Sequence, residues 1–312
     1  MLFKPRAHCN NPWSNVIPAW VLMCLVAVFG CKEPVSEARS IPAQNSVGNA
    51  EAGEVGQNQN AVVSIGTVHI LQSQILDEAR TLNVYIPPHA SERPDMRFPV
   101  IYLLDGAEHE DYLHITGLVQ FLTLYELMPP SIVVGIANVD RYRDFTYPSS
   151  NPEDLKSLPT SGGSEKFRAF LAEELKPFVN QNFPSSGNAT LIGQSLGGLL
   201  ATEVFLKTPQ LFQQYLIVSP SLWWDGGQLQ NQLADGVKNY GEGTGTVFLA
   251  LGEEGPEMQA GVDAFVAALK AHAPMGLTWF SEAFPEETHA TVLHRAVYKG
   301  FERLYEKTHP GM

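Results

Sequence analysis

The sequence predicts an α/β architecture, a mostly parallel central sheet with helices on both faces, folded as a single domain over residues 63–312. Short apolar runs bounded by turn signals alternate with segments whose apolar residues recur at helical spacing, which calls for parallel strands joined by helical crossovers. Two of the runs, at 98–104 and 132–137, are continuously apolar, as in strands buried on both faces. The polar residues of most interest follow the carboxyl ends of such runs, where a parallel sheet collects its loops on one rim.

Taken in order, residues 1–31 read as a targeting segment. Lys4 and Arg6 form a positive start, and the apolar run 16–29 is too short and too N-terminal for a comfortable membrane span. The run ends Val28-Phe29-Gly30-Cys31, which resembles a bacterial lipobox, although Phe29 is bulkier than usual two places before the cysteine. Lipidation is therefore expected at Cys31, with the protein exported to the periplasmic face of a bacterial membrane; secretion as a soluble protein is the alternative. Residues 32–62 are rich in Ser, Ala, Gly, Asn, Gln and Glu and hold few large apolar side chains, so they are expected to form a flexible linker.

The periodicity changes at Val63. Residues 67–71 and 82–86 read as antiparallel edge strands, the second stopped by Pro87-Pro88. The run 98–104 ends in Asp105-Gly106, and apolar positions at helical spacing over 113–127 stop before Pro129-Pro130. After the strand at 132–137 comes a polar stretch, 138–164, read as a loop, and then a helix with Phe167, Phe170, Leu171, Leu175 and Phe178 on its apolar face. Strands are expected up to Gln194 and at 215–218, 247–251 and 277–280, and helices after Ser195, over 259–271 and over 291–305.

Composition excludes several classes of function. The formal net charge is −13 and no Lys/Arg stripe is present, which argues against nucleic acid and against electrostatic binding to anionic lipid. Membrane contact is expected through the lipid anchor alone. The cysteines are Cys9, Cys24 and Cys31, so the folded body has no disulfide, thiol nucleophile or Cys-based metal site. No metal or organic cofactor is expected.

The chemistry centres on Gly193-Gln194-Ser195-Leu196-Gly197. A strand, a sharp turn at a serine and a helix form a nucleophile elbow, in which glycines let strand and helix pack closely while the hydroxyl projects. A serine hydroxyl needs an adjacent base. His289 lies after the last strand and before the last helix, where the chain order Ser, acid, His places that base. The acid is expected in Gly252-Glu253-Glu254-Gly255, with Glu254 the first choice, Glu253 the second, Asp225 a fallback, and a Ser-His dyad also open. The oxyanion donors are expected to be the backbone N–H groups of Leu196 and Ala107, with Gly106 admitting the substrate closely. Arg141 carries two readings, a substrate-binding guanidinium or a salt bridge with Asp140 or Asp144. Trp223 and Trp224 carry two readings, lining of an acyl or aromatic pocket by both or packing of one of them under the elbow. His109, beside the oxyanion loop, is a further candidate for the cleft.

From about Arg80 onward the chain resembles the bacterial esterase family of α/β hydrolases, near esterase D and the siderophore-esterase-like members. The residues that carry the likeness are Phe98-Pro-Val-Ile-Tyr-Leu-Leu-Asp-Gly, Gly135-Ile-Ala-Asn-Val-Asp-Arg-Tyr-Arg-Asp-Phe-Thr, Ile192-Gly-Gln-Ser-Leu-Gly-Gly-Leu, Ser219-Pro-Ser-Leu-Trp-Trp and Thr288-His289. Members more often carry His where this chain has Gln194. The resemblance implies an α/β-hydrolase fold with little cap structure, Ser195 and His289 as catalytic residues, and Arg141, Trp223 and Trp224 facing the substrate. The expected reaction is hydrolysis of a small-molecule carboxylic ester, of siderophore or simple acyl type. Acyl transfer on the same scaffold, or a non-catalytic binding module, is the rival.

Overall fold

The apolar runs form the middle of one mixed sheet. The computed structural model describes residues 63–241 and 243–306, and among these eight strands pair in the order β1-β2-β4-β3-β5-β6-β7-β8. They are β1 (Thr67–Ser73), β2 (Glu78–Tyr85), β3 (Phe98–Leu103), β4 (Ile132–Ile136), β5 (Ser185–Gln194), β6 (Gln214–Val218), β7 (Gly245–Gly252) and β8 (Leu277–Phe284). The β1–β2 and β2–β4 pairs are antiparallel and all others are parallel. The strand once expected at an edge, β2, is thus covered by β1 on one side and β4 on the other. The described residues belong to the compact unit Ala61–Met312. The expected signal segment, Cys31 and the linker lie outside the described residues.

Alternation along each strand divides the core into two layers. Val100, Tyr102 and Leu104 pack into one, and Ile101 and Leu103 into the other. The first layer is closed by α3 (Leu196–Lys207) and α4 (Pro256–His272), through Leu199, Val204, Phe265 and Leu269. The second is closed by α1 (Tyr112–Leu124) and α5 (Val292–Tyr305), through Ile115, Val119, Val297 and Phe301. Helices therefore cover both faces, as the alternating pattern predicts.

Two parts of the chain differ from the sequence expectation. The stretch read as a loop holds α2 (Arg141–Phe145) and a second short helix, Pro152–Ser157. Each is started by a side-chain cap: Asp140 accepts from the Arg143 N–H at 3.1 Å and Asn151 from the Glu153 N–H at 3.1 Å. One or two turns are too few to show helical periodicity in sequence. The helix predicted around Phe167 is also interrupted, running Ser164–Ala169, then a π-helical Phe170–Leu175, then Lys176–Asn182. Pro177 has no N–H to return to the preceding turn, and a widened turn ahead of it accommodates its ring.

Candidate active site

At the end of β5 the chain reverses into α3 at Ser195, which takes φ 60° and ψ −121°, a conformation that costs a non-glycine residue free energy. Neighbouring backbone holds it there: the Ser195 N–H donates to Val218 O at 3.1 Å, and Ser195 O accepts from the Leu199 N–H at 2.9 Å and the Ser221 N–H at 3.0 Å. The tight spacing explains Gly193, where a Cβ would lie 2.3 Å from the Gly197 carbonyl oxygen. Gly197 is less constrained, its nearest neighbour being Asp105 Oδ2 at 3.3 Å. Leu196 opens α3, so its N–H has no carbonyl one turn back to donate to and points from the positive end of the helix.

His289 is carried by the loop between β8 and α5, and its Nδ1 lies 2.5 Å from Glu254 Oε2. The Glu254 side chain is 2% exposed, and its other oxygen accepts from Ser219 Oγ at 2.5 Å and from the Gly252 N–H at 3.1 Å. A carboxylate accepting at Nδ1 places the imidazole proton there and leaves the Nε2 lone pair free. The Gln194 side-chain amide donates to the His289 carbonyl, which ties the base loop to the elbow.

The two other candidate acids lie elsewhere. Glu253 is exposed, and its backbone N–H donates to Glu287 O at 2.7 Å. Burial works against the Asp225 charge, yet the hydrogen bonds its carboxylate accepts, among them those from the Ser150 N–H at 2.8 Å and the Ser149 hydroxyl at 3.0 Å, together outweigh that and hold it below the ordinary carboxylate range. The carboxylate partner of the imidazole is Glu254, not this fallback acid.

Ser195 and His289 line one cleft of about 350 Å³ together with Asp105, Glu110, Asp111, Arg141, Gln194 and Ala290. The hydrogen-bond partner of Ser195 Oγ is Ser221 Oγ at 3.4 Å rather than the imidazole. Such bonds are commonly long in substrate-free enzymes and tighten with substrate bound.

Arg141 does face the cleft, but neither of the expected acids is its partner. Its Nε donates to Asp105 Oδ1 at 2.6 Å and its Nη2 to Asp105 Oδ2 at 3.0 Å, a bidentate pair. Asp140 is occupied as the α2 cap, and Asp144 pairs with Arg80 and Arg143. Burial works against the Arg141 charge, yet its bonds to Asp105 outweigh that and raise its pKa. The guanidinium thus clamps the β3 loop to α2, and its Nη2 reaches Gln194 O at 3.4 Å behind the elbow.

Other expected site residues have different surroundings from those foreseen. A Cβ on Gly106 would lie 2.3 Å from the Ile136 nitrogen and 2.4 Å from Gly135 Cα, so the close approach there is made by β4, not by substrate. Trp224 is fully buried, its indole N–H donating to Tyr147 O at 2.9 Å, and it belongs to the core. Trp223 packs half-buried against the same core and does not line the cleft, and exposed His109 does not line it either. The Ala107 N–H, expected to be a free oxyanion donor, donates to Glu110 Oε2 at 3.0 Å. Sequence reasoning missed Ser219, Ser221, Glu110 and Asn138. Each follows a strand end on the rim that carries Ser195, and Ser219, Ser221 and Asn138 also lie within the motifs that carry the family likeness.

Comparison with known proteins agrees with the fold and with an esterase family. A family model described as "Putative esterase" matches residues 73–271. The chain is 33% identical over 188 residues to the ferri-bacillibactin esterase BesA of Bacillus subtilis, covering 54% of this chain and 63% of that one. It is 35% identical over 104 residues to a siderophore enterobactin esterase of Emericella nidulans, covering 32% of this chain and 30% of that one. The match therefore spans less than two thirds of either relative. Among solved structures, an IroE-like serine hydrolase from Shewanella oneidensis superposes with a TM-score of 0.71 at 28% identity, covering 79% of this chain and 82% of that one. The BES protein from Bacillus cereus superposes with a TM-score of 0.70 at 26% identity, covering 79% and 98%. With the fold, the elbow and the family match in agreement, the chain belongs to the "Putative esterase" family of α/β hydrolases.

Proposed function

We propose that the protein is a serine esterase that hydrolyses small-molecule carboxylic esters, with esters of the siderophore type the first class to examine. The observation that carries this reading is the His289–Glu254 pair, 2.5 Å apart, on the same cleft as a serine held at a strained elbow. The names of the relatives, which are siderophore esterases, support the substrate class.

In this mechanism Ser195 Oγ attacks the ester carbonyl carbon as its proton passes to His289 Nε2. The carbonyl oxygen becomes an oxyanion held by the Leu196 N–H and by the Ala107 N–H in exchange for its bond to Glu110, and Glu254 stabilises the imidazolium. The tetrahedral intermediate collapses, the C–O bond to the alcohol breaks, and His289 returns the proton to the leaving oxygen. Water then adds to the acyl-enzyme, giving its proton to His289, and the acid leaves as Ser195 Oγ recovers that proton. Residues 1–62 belong to the same proposal as an export signal lipidated at Cys31 and a tether, which would set the enzyme on the periplasmic face of a membrane.

The test is turnover of a panel of aryl esters, alkyl esters and polyester lactones, with and without an added alcohol. The expected result is release of free acid from at least one class, with a product ratio that the alcohol leaves unchanged. Acyl transfer to the alcohol as the main product, or no turnover of any ester, would overturn the proposal.

A further inference from the structure

We infer that Glu110 is a positioning residue that occupies one half of the oxyanion site at rest and must release it as the reaction proceeds. This rests on the reading of Ser195 and Ala107 given above. The Ala107 N–H donates to Glu110 Oε2 at 3.0 Å, and the Glu110 N–H donates back to Ala107 O at 3.1 Å. The carboxylate bond is the glutamate half of a capping box, Ala107 having no side-chain acceptor for the other half, and with the backbone bond it closes the turn ahead of α1. The second carboxylate oxygen accepts from Asn138 Nδ2 at 3.0 Å, and that amide also donates to Asp105 Oδ1 at 2.7 Å.

Two features make this more than a cap. Glu110 lines the cleft with Ser195 and His289, so its carboxylate borders the space that a substrate carbonyl enters. It also does chemically what an oxyanion does, since each is an anion accepting from the same backbone N–H. One N–H cannot serve both at full strength. Its partners, the Ala107 N–H and the Asn138 amide, are uncharged, and Arg141 on the same cleft is engaged bidentately by Asp105. The carboxylate therefore shares the single Arg141 charge with Asp105, which takes its hydrogen bonds, and brings negative charge to the place where the transition state develops one. Formation of the oxyanion requires Glu110 to rotate off Ala107, and the hydrogen bond it gives up is charged toward the barrier.

The test compares the full chain with Glu110→Ala and Glu110→Gln. It measures kcat and KM for p-nitrophenyl acetate, the affinity for an aryl trifluoromethyl ketone, whose serine adduct presents an oxyanion, and the melting temperature. The expected result for Glu110→Ala is a rise in kcat of about tenfold, a matching tightening of the ketone and an unchanged KM. Loss of the cap lowers Tm by about 3 °C in the same variant. Glu110→Gln keeps an acceptor for Ala107 and should fold even if the alanine variant does not; it gives a smaller rise in both readouts. A lower Tm with kcat and ketone affinity unchanged or weakened, in either variant, would show that Glu110 is only a cap and overturn the inference. Turnover that survives Ser195→Ala would instead overturn the reading on which it rests.

Discussion

Replacing Ser195 with Ala is expected to lower kcat for p-nitrophenyl acetate by about 10⁵-fold to 10⁶-fold, and His289→Ala by a similar factor. The double variant should be no worse than either single one. Hydroxyl and imidazole act as one unit: without the base the hydroxyl is a poor nucleophile, and without the hydroxyl the base has no proton to take. Neither change should disturb the fold. The His289 side chain is 46% exposed, and Ser195 is held through its backbone, which alanine retains. Melting temperatures within about 2 °C of the parent are expected, less than the shift from 1 kcal/mol in a domain of this size. Steady-state kinetics with thermal melts checks both halves of the prediction. A comparable loss of stability would assign the lost activity to unfolding.

Glu254→Gln should lower kcat by about 10³-fold to 10⁴-fold while leaving KM within a small factor. The carboxylate is almost wholly buried and accepts from His289, Ser219 and Gly252. An amide in its place removes the charge that stabilises the imidazolium. Its NH₂ group also favours the tautomer with a bare Nδ1, the wrong one for a base working through Nε2. A stability cost of about 1–2 kcal/mol accompanies the change, because buried donors lose part of their acceptor. Glu253→Gln is the matched control and should behave as the parent, since its side chain is exposed and the imidazole Nδ1 is engaged by Glu254. A loss of less than tenfold in Glu254→Gln would show that His289 works as a dyad with Ser195.

The elements that position this site were legible where the chain repeats a pattern long enough to read. The buried runs at β3 and β4, the elbow after β5 and the long helices α1, α4 and α5 all carry apolar periodicity over many residues, and each forms close to its expected place. Ser195, His289 and Glu254 could be placed because chain order along a parallel sheet fixes which loops share a rim. Glu254 and Glu253 are adjacent and chemically alike, so only the coordinates separate them: Gly252 donates its N–H to one carboxylate while the other faces water.

What sequence could not show were interactions between side chains of separate loops. Arg141 was paired by proximity in sequence with Asp140 or Asp144, whereas the sheet brings Asp105, at the end of β3, against it. Asp105 takes φ 53°, which turns its carboxylate toward Arg141 instead of continuing the strand. For Trp223 and Trp224 the sequence leaves open whether both line a pocket or one packs inward, and only the fold shows that Trp224 goes into the core. Gly106 was given its reason correctly in kind, close approach of backbone, but the neighbour is β4. Glu110 fell within a polar turn that no periodicity marks, and its hold on Ala107 is visible only as a distance.

The central claim is that Ser195 forms a covalent acyl-enzyme, and labelling with a fluorophosphonate followed by peptide mapping tests it most directly. The account predicts one adduct per chain on the peptide that contains Ser195, loss of ester turnover in step with labelling, and no adduct in Ser195→Ala. An adduct on another residue, or full turnover by a protein that the reagent does not label, would contradict it.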